Sequence, residues 1–329
     1  MSIKKSSSIK TIGVLTTGGD ASGMNAAIRA VVRTAIFHGL KVYGINRGYR
    51  GLIDGEIAEM GATSVSGIIN RGGTILKTIR CPEFRDKKNQ KKAVENLLCY
   101  GIDALVIIGG NGSLAGGGAL YYNWKVPVVN IPASIDNDLA YTDYTVGFDT
   151  AVNTALSAID KIRDTATSHD RVFVVEVMGR DNGLIALEVA LGSGAEAVLI
   201  PEIKPDIGKI CALLDKGHKR GKHSSIIIVA EGAMSGQDVA KEIRKRTKGL
   251  EVRVSVLGYM QRGGSPTAFS RALAARLGEA AVELLLKAKY GKMVGVVGNK
   301  VIATDIKKVL KTKKTIDISD YQLVGVLSS

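Results

Sequence analysis

The sequence is poor in cysteine, histidine and aromatic residues, and each shortage removes a class of function. Cys81, Cys99 and Cys211 are the only cysteines in 329 residues; they are widely spaced and odd in number. That usage supplies no disulfide framework and points to a reducing compartment. With four scattered histidines beside them, a zinc site of the His/Cys type is not expected. Aromatic residues make up 5% of the chain and Trp124 is its single tryptophan, so stacking platforms for nucleic-acid bases are scarce. No apolar run reaches the roughly 18 residues that a membrane span needs. Residues 1–8 lack the apolar stretch of a signal peptide. A cytoplasmic protein with no membrane partner is expected. No low-complexity linker or fixed-period repeat divides the chain.

What is present is an apolar, cationic chain of two-domain length. Hydrophobic residues are 45% of it, enough for two cores. Lys and Arg number 45 against 31 Asp and Glu, a net charge of +14. Nucleic acid is the first partner such a balance suggests. Yet the cations do not form one patch. Some lie in lysine runs (87–92, 216–222, 307–314), which read as solvated faces. Others are single arginines beside glycine turns. Phosphorylated small molecules fit this distribution better than nucleic acid.

Short apolar runs alternate with segments of helical spacing. Residues 11–15, 42–45, 104–108, 126–131, 172–177, 197–200, 225–229 and 252–257 read as strands. Residues 23–37, 65–70, 91–100, 148–165, 184–192, 236–247 and 270–288 read as helices. The alternation implies an α/β protein with parallel sheets covered by helices on both faces.

The richest stretch is Ile131-Pro132-Ala133-Ser134-Ile135-Asp136-Asn137-Asp138, directly after an apolar run. Pro132 and Asn137 predict that a loop begins there. A hydroxyl, a carboxylate, an amide and a second carboxylate then project from the carboxyl end of a strand, where open α/β sheets bind ligands. One carboxylate can take a proton from an attacking hydroxyl, and the other can hold a magnesium ion or its waters. Asx-rich turns are also common as plain structure.

Glycine turns shift that balance. Thr16-Thr17-Gly18-Gly19-Asp20-Ala21-Ser22-Gly23 lies between a strand and a helix, as does Gly109-Gly110-Asn111-Gly112-Ser113. Such turns let backbone N–H groups approach a phosphate, although a tight strand-to-helix turn wants glycine for itself. Neither matches the P-loop or dinucleotide spacing. Gly116-Gly117-Gly118 should weaken the helix that follows. Arg71-Gly72-Gly73, with Arg80 and Arg85 beyond it, and Arg262-Gly263-Gly264 add further glycine turns with cations. Arg171 and Arg180 flank the strand ending at Met178-Gly179. Guanidinium forks grip phosphate through paired hydrogen bonds.

Taken together, these motifs resemble the 6-phosphofructokinase family, bacterial ATP-dependent type, over residues 12–286. The resemblance implies two doubly wound three-layer domains facing a cleft, with the chain crossing between them more than once. Residues 1–147 and about 261–310 would form a nucleotide-binding domain, and 148–260 with about 311–329 a sugar-phosphate-binding domain. It implies transfer of the γ-phosphoryl of ATP to the 1-hydroxyl of fructose 6-phosphate, with Mg²⁺. Asp136 would be the base, and Ser134 would position the phosphoryl group. Asn111 and Asp138 would hold the metal. Arg180 and Arg80 would neutralise charge, and Gly19 would donate its N–H to the phosphates. Gly19, Arg80, Cys81, Gly110, Asn111, Gly112 and Ser113 would bind nucleotide. Ser134, Asp136, Asp138, Arg171, Met178, Gly179, Arg180, Glu231, Arg253, Tyr259 and Arg262 would bind the sugar phosphate. In the family, Arg171 and Arg253 reach a neighbouring subunit's pocket, which implies a homotetramer.

The pyrophosphate-using branch typically carries Asp in place of Gly112 and Lys in place of Ala133, so these residues favour ATP. Arg29, Arg33, Arg163, Arg220, Lys222 and Glu196 match an effector cluster for ADP or phosphoenolpyruvate; interface salt bridges would use the same residues. Three features depart from the family. Asn111 stands where an aspartate helps bind magnesium, Tyr259 replaces a histidine, and Ala133 replaces a glycine. They keep a weakly active regulatory subunit open as an alternative reading, beside a pyrophosphate-dependent enzyme. The segment 311–329 departs from the family pattern.

Overall fold

A computed structural model describes residues 9–247 and 249–328. The chain forms two compact units, one of residues 1–149 with 262–314 and the other of 150–261 with 315–329.

The first unit is built on β1 (Thr11–Thr17), α1 (Met24–Phe37), β2 (Lys41–Ile45), α2 (Tyr49–Asp54), β3 (Ile57–Glu59), α3 (Lys87–Cys99), β4 (Ala104–Gly109), α4 (Asn111–Trp124), β5 (Val128–Ser134) and β6 (Val146–Gly147). Helix α5 (Phe148–Ser168) leads into the second unit. That unit holds β7 (Arg171–Val177), α6 (Leu184–Ser193), β8 (Ala197–Leu199), α7 (Ile207–Lys219), β9 (Ser225–Ala230), α8 (Gly236–Arg246) and β10 (Glu251–Val256). The chain returns to the first unit with α9 (Ala268–Leu286), β11 (Lys292–Val297), β12 (Lys300–Asp305) and α10 (Ile306–Lys311), and ends in the second with α11 (Ile318–Leu327).

In the first unit the strand order is β12-β11-β5-β4-β1-β2-β3, with β6 beside β5. The centre is parallel. Only the edge pairs β2–β3 and β11–β12 are antiparallel. Every residue of β4 is buried, as a strand covered on both faces requires. Leu15, Ile45, Leu52, Leu97, Leu105, Ile107 and Leu120 join in one core. The second unit has a four-stranded parallel sheet, β10-β7-β9-β8. Its core runs through Val172, Val174, Leu214, Ile227, Val229 and Ile243.

Several elements differ from the sequence expectation. Residues 66–70 are not helical; a short 3-10 turn, Thr63–Val65, stands just before them. β5 does not stop before Pro132 but continues to Ser134. Pro132 is tolerated because it pairs with Gly109 at the very end of the β4 ladder. The triple glycine does not disturb α4, which runs unbroken through it. An added Cβ would lie 2.4 Å from the Tyr49 ring at position 116, 2.8 Å from Asn130 Oδ1 at 117, and 3.0 Å from Ile306 at 118. The glycines let α4 press against a buried ring, a core strand and α10. The segment beyond Lys311 also has a place, in a bridge between Leu139 and Lys313 and in α11, which packs on α6 and β8.

Candidate active site

In the first unit, β1, β4 and β5 are adjacent and parallel, so their carboxyl ends come together. Two helices opening at these ends, α1 and α4, start at glycines with no side-chain cap. α2 and α6 also start at uncapped glycines, whereas α3, α7, α8, α9, α10 and α11 are each capped by an Asp, Ser or Thr side chain. The uncapped first turns leave N–H groups available to an anion. Glycine is required for tightness at Gly109, where a Cβ would sit 2.2 Å from Ser113 Oγ and 2.4 Å from the Thr17 carbonyl oxygen. Gly112 faces open space, with nothing within 4 Å of an added Cβ. Gly110 lies beside Ser134, whose Cβ would be 3.7 Å from a Cβ added at position 110.

Side chains hold the first glycine turn in place. Gly18 takes φ +92°, and its carbonyl accepts from Thr78 Oγ1 at 2.9 Å. Ser22 Oγ lies 2.9–3.2 Å from the carbonyl oxygens of Arg262, Gly263 and Gly264. Asn25 Nδ2 donates to the carbonyls of Arg71 and Gly72, while its Oδ1 accepts from Ile75 N–H at 2.8 Å. Gly72 meets Gly264 so closely that a Cβ would fall 2.4 Å from the Gly264 carbonyl oxygen. These two outer glycine turns therefore pack against each other. Arg262 spreads over Gly19, its Nη1 3.6 Å from Asp20 Oδ1. Its surroundings in this unit are those of the nucleotide-side turn. Arg80 is exposed. Burial, then Glu83, pushes the neighbouring Cys81 thiol up to about 11, so it is no ready nucleophile.

The loop after β5 carries the two carboxylates. Asp136 is 2% exposed, and its N–H donates to Ser134 Oγ at 3.2 Å. Asn137 adopts φ +53°, a conformation asparagine tolerates, and staples the loop. Its Nδ2 donates to the Asp143 carbonyl and its Oδ1 accepts from Thr145 N–H, both at 2.9 Å. Asp138 Oδ2 accepts from Asn111 Nδ2 at 2.8 Å, which joins the start of α4 to this loop. Asp138 Oδ1 is buried and has no hydrogen-bond partner among the described residues.

One cation at this loop escaped the sequence reading. Lys314 Nζ donates to the carbonyls of Thr142 and Asp143 at 2.8 and 2.9 Å. Burial pulls its ammonium down to about 8, against the opposing pull of Asp143 and then Asp138. Lys314 read as part of a solvated lysine run. Only the Lys313–Leu139 bridge brings it to this loop, and no local signal announces that pairing.

In the second unit Met178, Gly179, Arg180 and Glu231 gather at the carboxyl ends of β7 and β9, whereas Arg171 opens β7 at its other end and Arg253 lies within β10 beside it. Glu231 Oε1 accepts from the N–H groups of Gly179 and Arg180 at 3.3 and 2.9 Å, and Met178 N–H donates to Gln261 Oε1 at 2.8 Å. Arg180 takes φ +52°, strained for a side chain of that size. Gly232 is forced, since a Cβ there would lie 1.9 Å from the Arg180 carbonyl oxygen. Gln261 opens the Arg262 glycine turn in the sequence and has no role assigned there, yet it fixes this turn from a fully buried position. Arg171 and Arg253 share one carboxylate: Glu251 pairs with Arg171 Nε at 3.0 Å and also with Arg253. Tyr259 is 80% exposed.

The effector candidates are divided between the units. Arg29 and Arg33 lie on α1 in the first, Arg29 half-buried and Arg33 exposed. In the second, Arg163 donates to the Ser193 carbonyl at 2.6 Å. Lys222 pairs with buried Glu196 at 2.7 Å, and Glu196 also accepts from Ile226 N–H. Arg220 is exposed. Among the described residues no group of three or more His, Cys, Asp or Glu gathers as a metal site, and no helix is long and apolar enough to cross a membrane.

Comparison with known proteins places this geometry. The profile described as Phosphofructokinase matches residues 11–285. The chain is 56% identical to the ATP-dependent 6-phosphofructokinase of Halalkalibacterium halodurans and 55% identical to that of Bacillus subtilis. Each alignment spans 97% of this chain and 100% of the relative. Among solved structures, phosphofructokinase from Saccharomyces cerevisiae superposes with a TM-score of 0.85 at 36% identity, over 92% of this chain and 45% of the yeast chain. Pyrophosphate-dependent phosphofructokinase from Marinobacter aquaeolei, at 23% identity over 96% of this chain and 91% of that one, shares the fold with a TM-score of 0.83. With its glycine turns, its carboxylate loop and this full-length similarity, the chain belongs to the phosphofructokinase family.

Proposed function

We propose that this chain is an ATP-dependent 6-phosphofructokinase, which moves the γ-phosphoryl group of ATP to the 1-hydroxyl of fructose 6-phosphate and yields fructose 1,6-bisphosphate. The observation that carries the reading is the loop after β5. There buried Asp136 and the Asn111-bound Asp138 stand at the strand end beside the uncapped start of α4. The relatives that align over this chain's length carry that activity in their names.

Asp136 is the base. It takes the proton of the sugar hydroxyl as that oxygen attacks the γ-phosphorus, and the P–O bond to ADP breaks in line, with no covalent enzyme intermediate. Ser134 orients the phosphoryl group, and Arg180 and Arg80 stabilise charge as it transfers. Gly19 and the Gly110–Ser113 turn hold the nucleotide through backbone N–H groups. Open space at Gly112 leaves room for a nucleotide phosphate, which supports ATP over pyrophosphate. Arg171, Met178, Gly179, Glu231, Arg253, Tyr259 and Arg262 bind the sugar phosphate.

We assign Mg²⁺ to Asp138 and Asn111. The fit rests on Asp138 Oδ1, a buried anionic oxygen that lacks a partner, and on an adjacent amide whose oxygen can serve the same point. The ion, when bound, neutralises polyphosphate charge. We further assign a cytoplasmic homotetramer and an effector site for ADP or phosphoenolpyruvate at Arg29, Arg33, Arg163, Glu196, Arg220 and Lys222.

Purified protein mixed with ATP, Mg²⁺ and fructose 6-phosphate tests the reading. Fructose 1,6-bisphosphate is the expected product; nucleotide binding without product would leave a regulatory subunit instead.

A further inference from the structure

In the second unit β7 lies between β9 and β10, and the turn that leaves it, Met178-Gly179-Arg180, is held from both sides. From the β9 side, Glu231 Oε1 accepts from the N–H groups of Gly179 and Arg180 at 3.3 and 2.9 Å. From the β10 side, Gln261 Oε1 accepts from Met178 N–H at 2.8 Å. Three successive N–H groups beyond a strand end thus donate to side-chain oxygens. The turn needs such support, because Gly179 takes φ +143° and Arg180 φ +52°. The two props differ in character. Glu231 is exposed and charged. Gln261 is fully buried and neutral, as a place without water requires. Its Nε2 is buried too, with no hydrogen-bond partner among the described residues.

We propose that Gln261 is a positioning residue for the sugar-phosphate site: its backbone belongs to one substrate-binding turn and its side chain fixes another. This rests on the reading of Met178, Gly179, Arg180 and Tyr259 as sugar-phosphate residues and deepens it. Gln261 stands on the short 3-10 turn Gly258–Arg262, which also carries Tyr259. That turn follows β10, whose parallel ladder with β7 ends at the pair Val256 and Glu176. Leu257 N–H then donates to the Glu176 carbonyl at 3.0 Å. The bond from Met178 to Gln261 carries the pairing of these two strands onward into their turns. Stability alone does not call for an amide here. One buried hydrogen bond is gained and one buried donor is left unpaired, and the two effects oppose each other. What the amide supplies is spacing. Its acceptor oxygen sets how far the turn with Met178 and Arg180 stands from the turn with Tyr259. A displacement of about 1 Å in groups that hold a substrate is enough to cost affinity and rate.

Calorimetry on the full chain tests this, with fructose 6-phosphate and, separately, with a non-hydrolysable ATP analogue. Gln261→Met keeps the length of the side chain and removes the acceptor. It should weaken fructose 6-phosphate binding by about 10- to 100-fold and leave the ATP analogue bound as in the wild type. Gln261→Glu restores an acceptor oxygen at the same reach, and burial keeps its carboxyl protonated and neutral. It should bind both ligands as the wild type does. Gln261→Asn draws the acceptor back by one methylene and replaces the Met variant if that one fails to fold. A folded Gln261→Met that binds fructose 6-phosphate normally would overturn the proposal. So would equal losses for both ligands, which mean general loosening, or a Gln261→Glu as weak as Gln261→Met, which means packing alone. Hydrogen exchange at the amides of residues 178–180 separates this proposal from the reading beneath it. A wild-type protein that binds no fructose 6-phosphate would sink the sugar-phosphate reading. Faster exchange there in Gln261→Met, but not in Gln261→Glu, would still uphold Gln261 as the residue that sets this turn; unchanged exchange in Gln261→Met would overturn it.

Discussion

Asp136 and Asp138 sit two positions apart on one loop, yet the structure gives them different surroundings. Asp136 is buried behind Ser134, while Asp138 is bound by Asn111. The division suits a base and a metal ligand. Asp136→Ala should lower kcat by about 10³-fold, the usual scale for loss of a general base. Calorimetry should still register ATP; a mutant with ordinary turnover would show the base is misassigned. Lys314 carries a second prediction at this scale. Its ammonium titrates at 10.5 ordinarily and at about 8 in the fold. Below pH 8 both states hold the proton, and the folded chain bears the buried charge. Between the two values the unfolded chain still holds a proton that the folded chain has released, so stability rises with pH there. Melting temperatures of wild type and Lys314→Met, followed from about pH 7.5 to about pH 10, should shift in favour of the wild type. Parallel curves would contradict the burial of this amine. In sequence, the carboxylates were legible because short polar residues followed an apolar run. Lys314 was not, because nothing local distinguishes it from Lys311 or Lys313.

At the scale of elements, the glycines of α4 show how a local rule yields to packing. Glycine weakens an isolated helix, and the triple glycine read as damage. Its cause is the approach of Tyr49, which stacks on Phe84 at 4.1 Å between ring centroids and donates its hydroxyl to the Ser113 carbonyl. That ring has no room to move aside. Gly116→Ala should therefore destabilise the protein by about 1–3 kcal/mol through overpacking, although alanine is the better helix former. Gly325→Ala in α11, where an added Cβ meets nothing within 4 Å, should instead stabilise by about 0.5–1 kcal/mol. Denaturation midpoints that move the same way for both would contradict the packing account. The alternating strands and helices could be read from apolar spacing because parallel strands are buried on both faces. Residues 66–70 could not, since a brief apolar stretch with one turn's spacing also suits a loop packed on a core. Pro132 misled for the opposite reason: a ladder end tolerates what a ladder centre does not.

At the scale of the whole molecule, the alternation of apolar runs and helical segments was enough for the α/β class, and the ordered motifs carried the resemblance to the family. Both follow from patterns that recur along the entire chain, and the comparisons bear out both. Assembly is another matter, because subunit contacts leave no periodic signature in one chain. The homotetramer proposed here predicts a sedimentation mass about four times that of the chain, whose mass is 34.8 kDa. A monomer that is fully active would remove the reason for placing Arg171 and Arg253 in a neighbour's pocket. The phosphoryl donor is the property on which the account turns. The measurement that tests it most directly is a coupled assay for fructose 1,6-bisphosphate, run on the purified protein with fructose 6-phosphate and Mg²⁺, with ATP and with pyrophosphate in parallel. Turnover with ATP and none with pyrophosphate is the predicted result. Turnover with pyrophosphate alone would contradict the reading of Gly112, and silence with both donors would contradict the kinase itself.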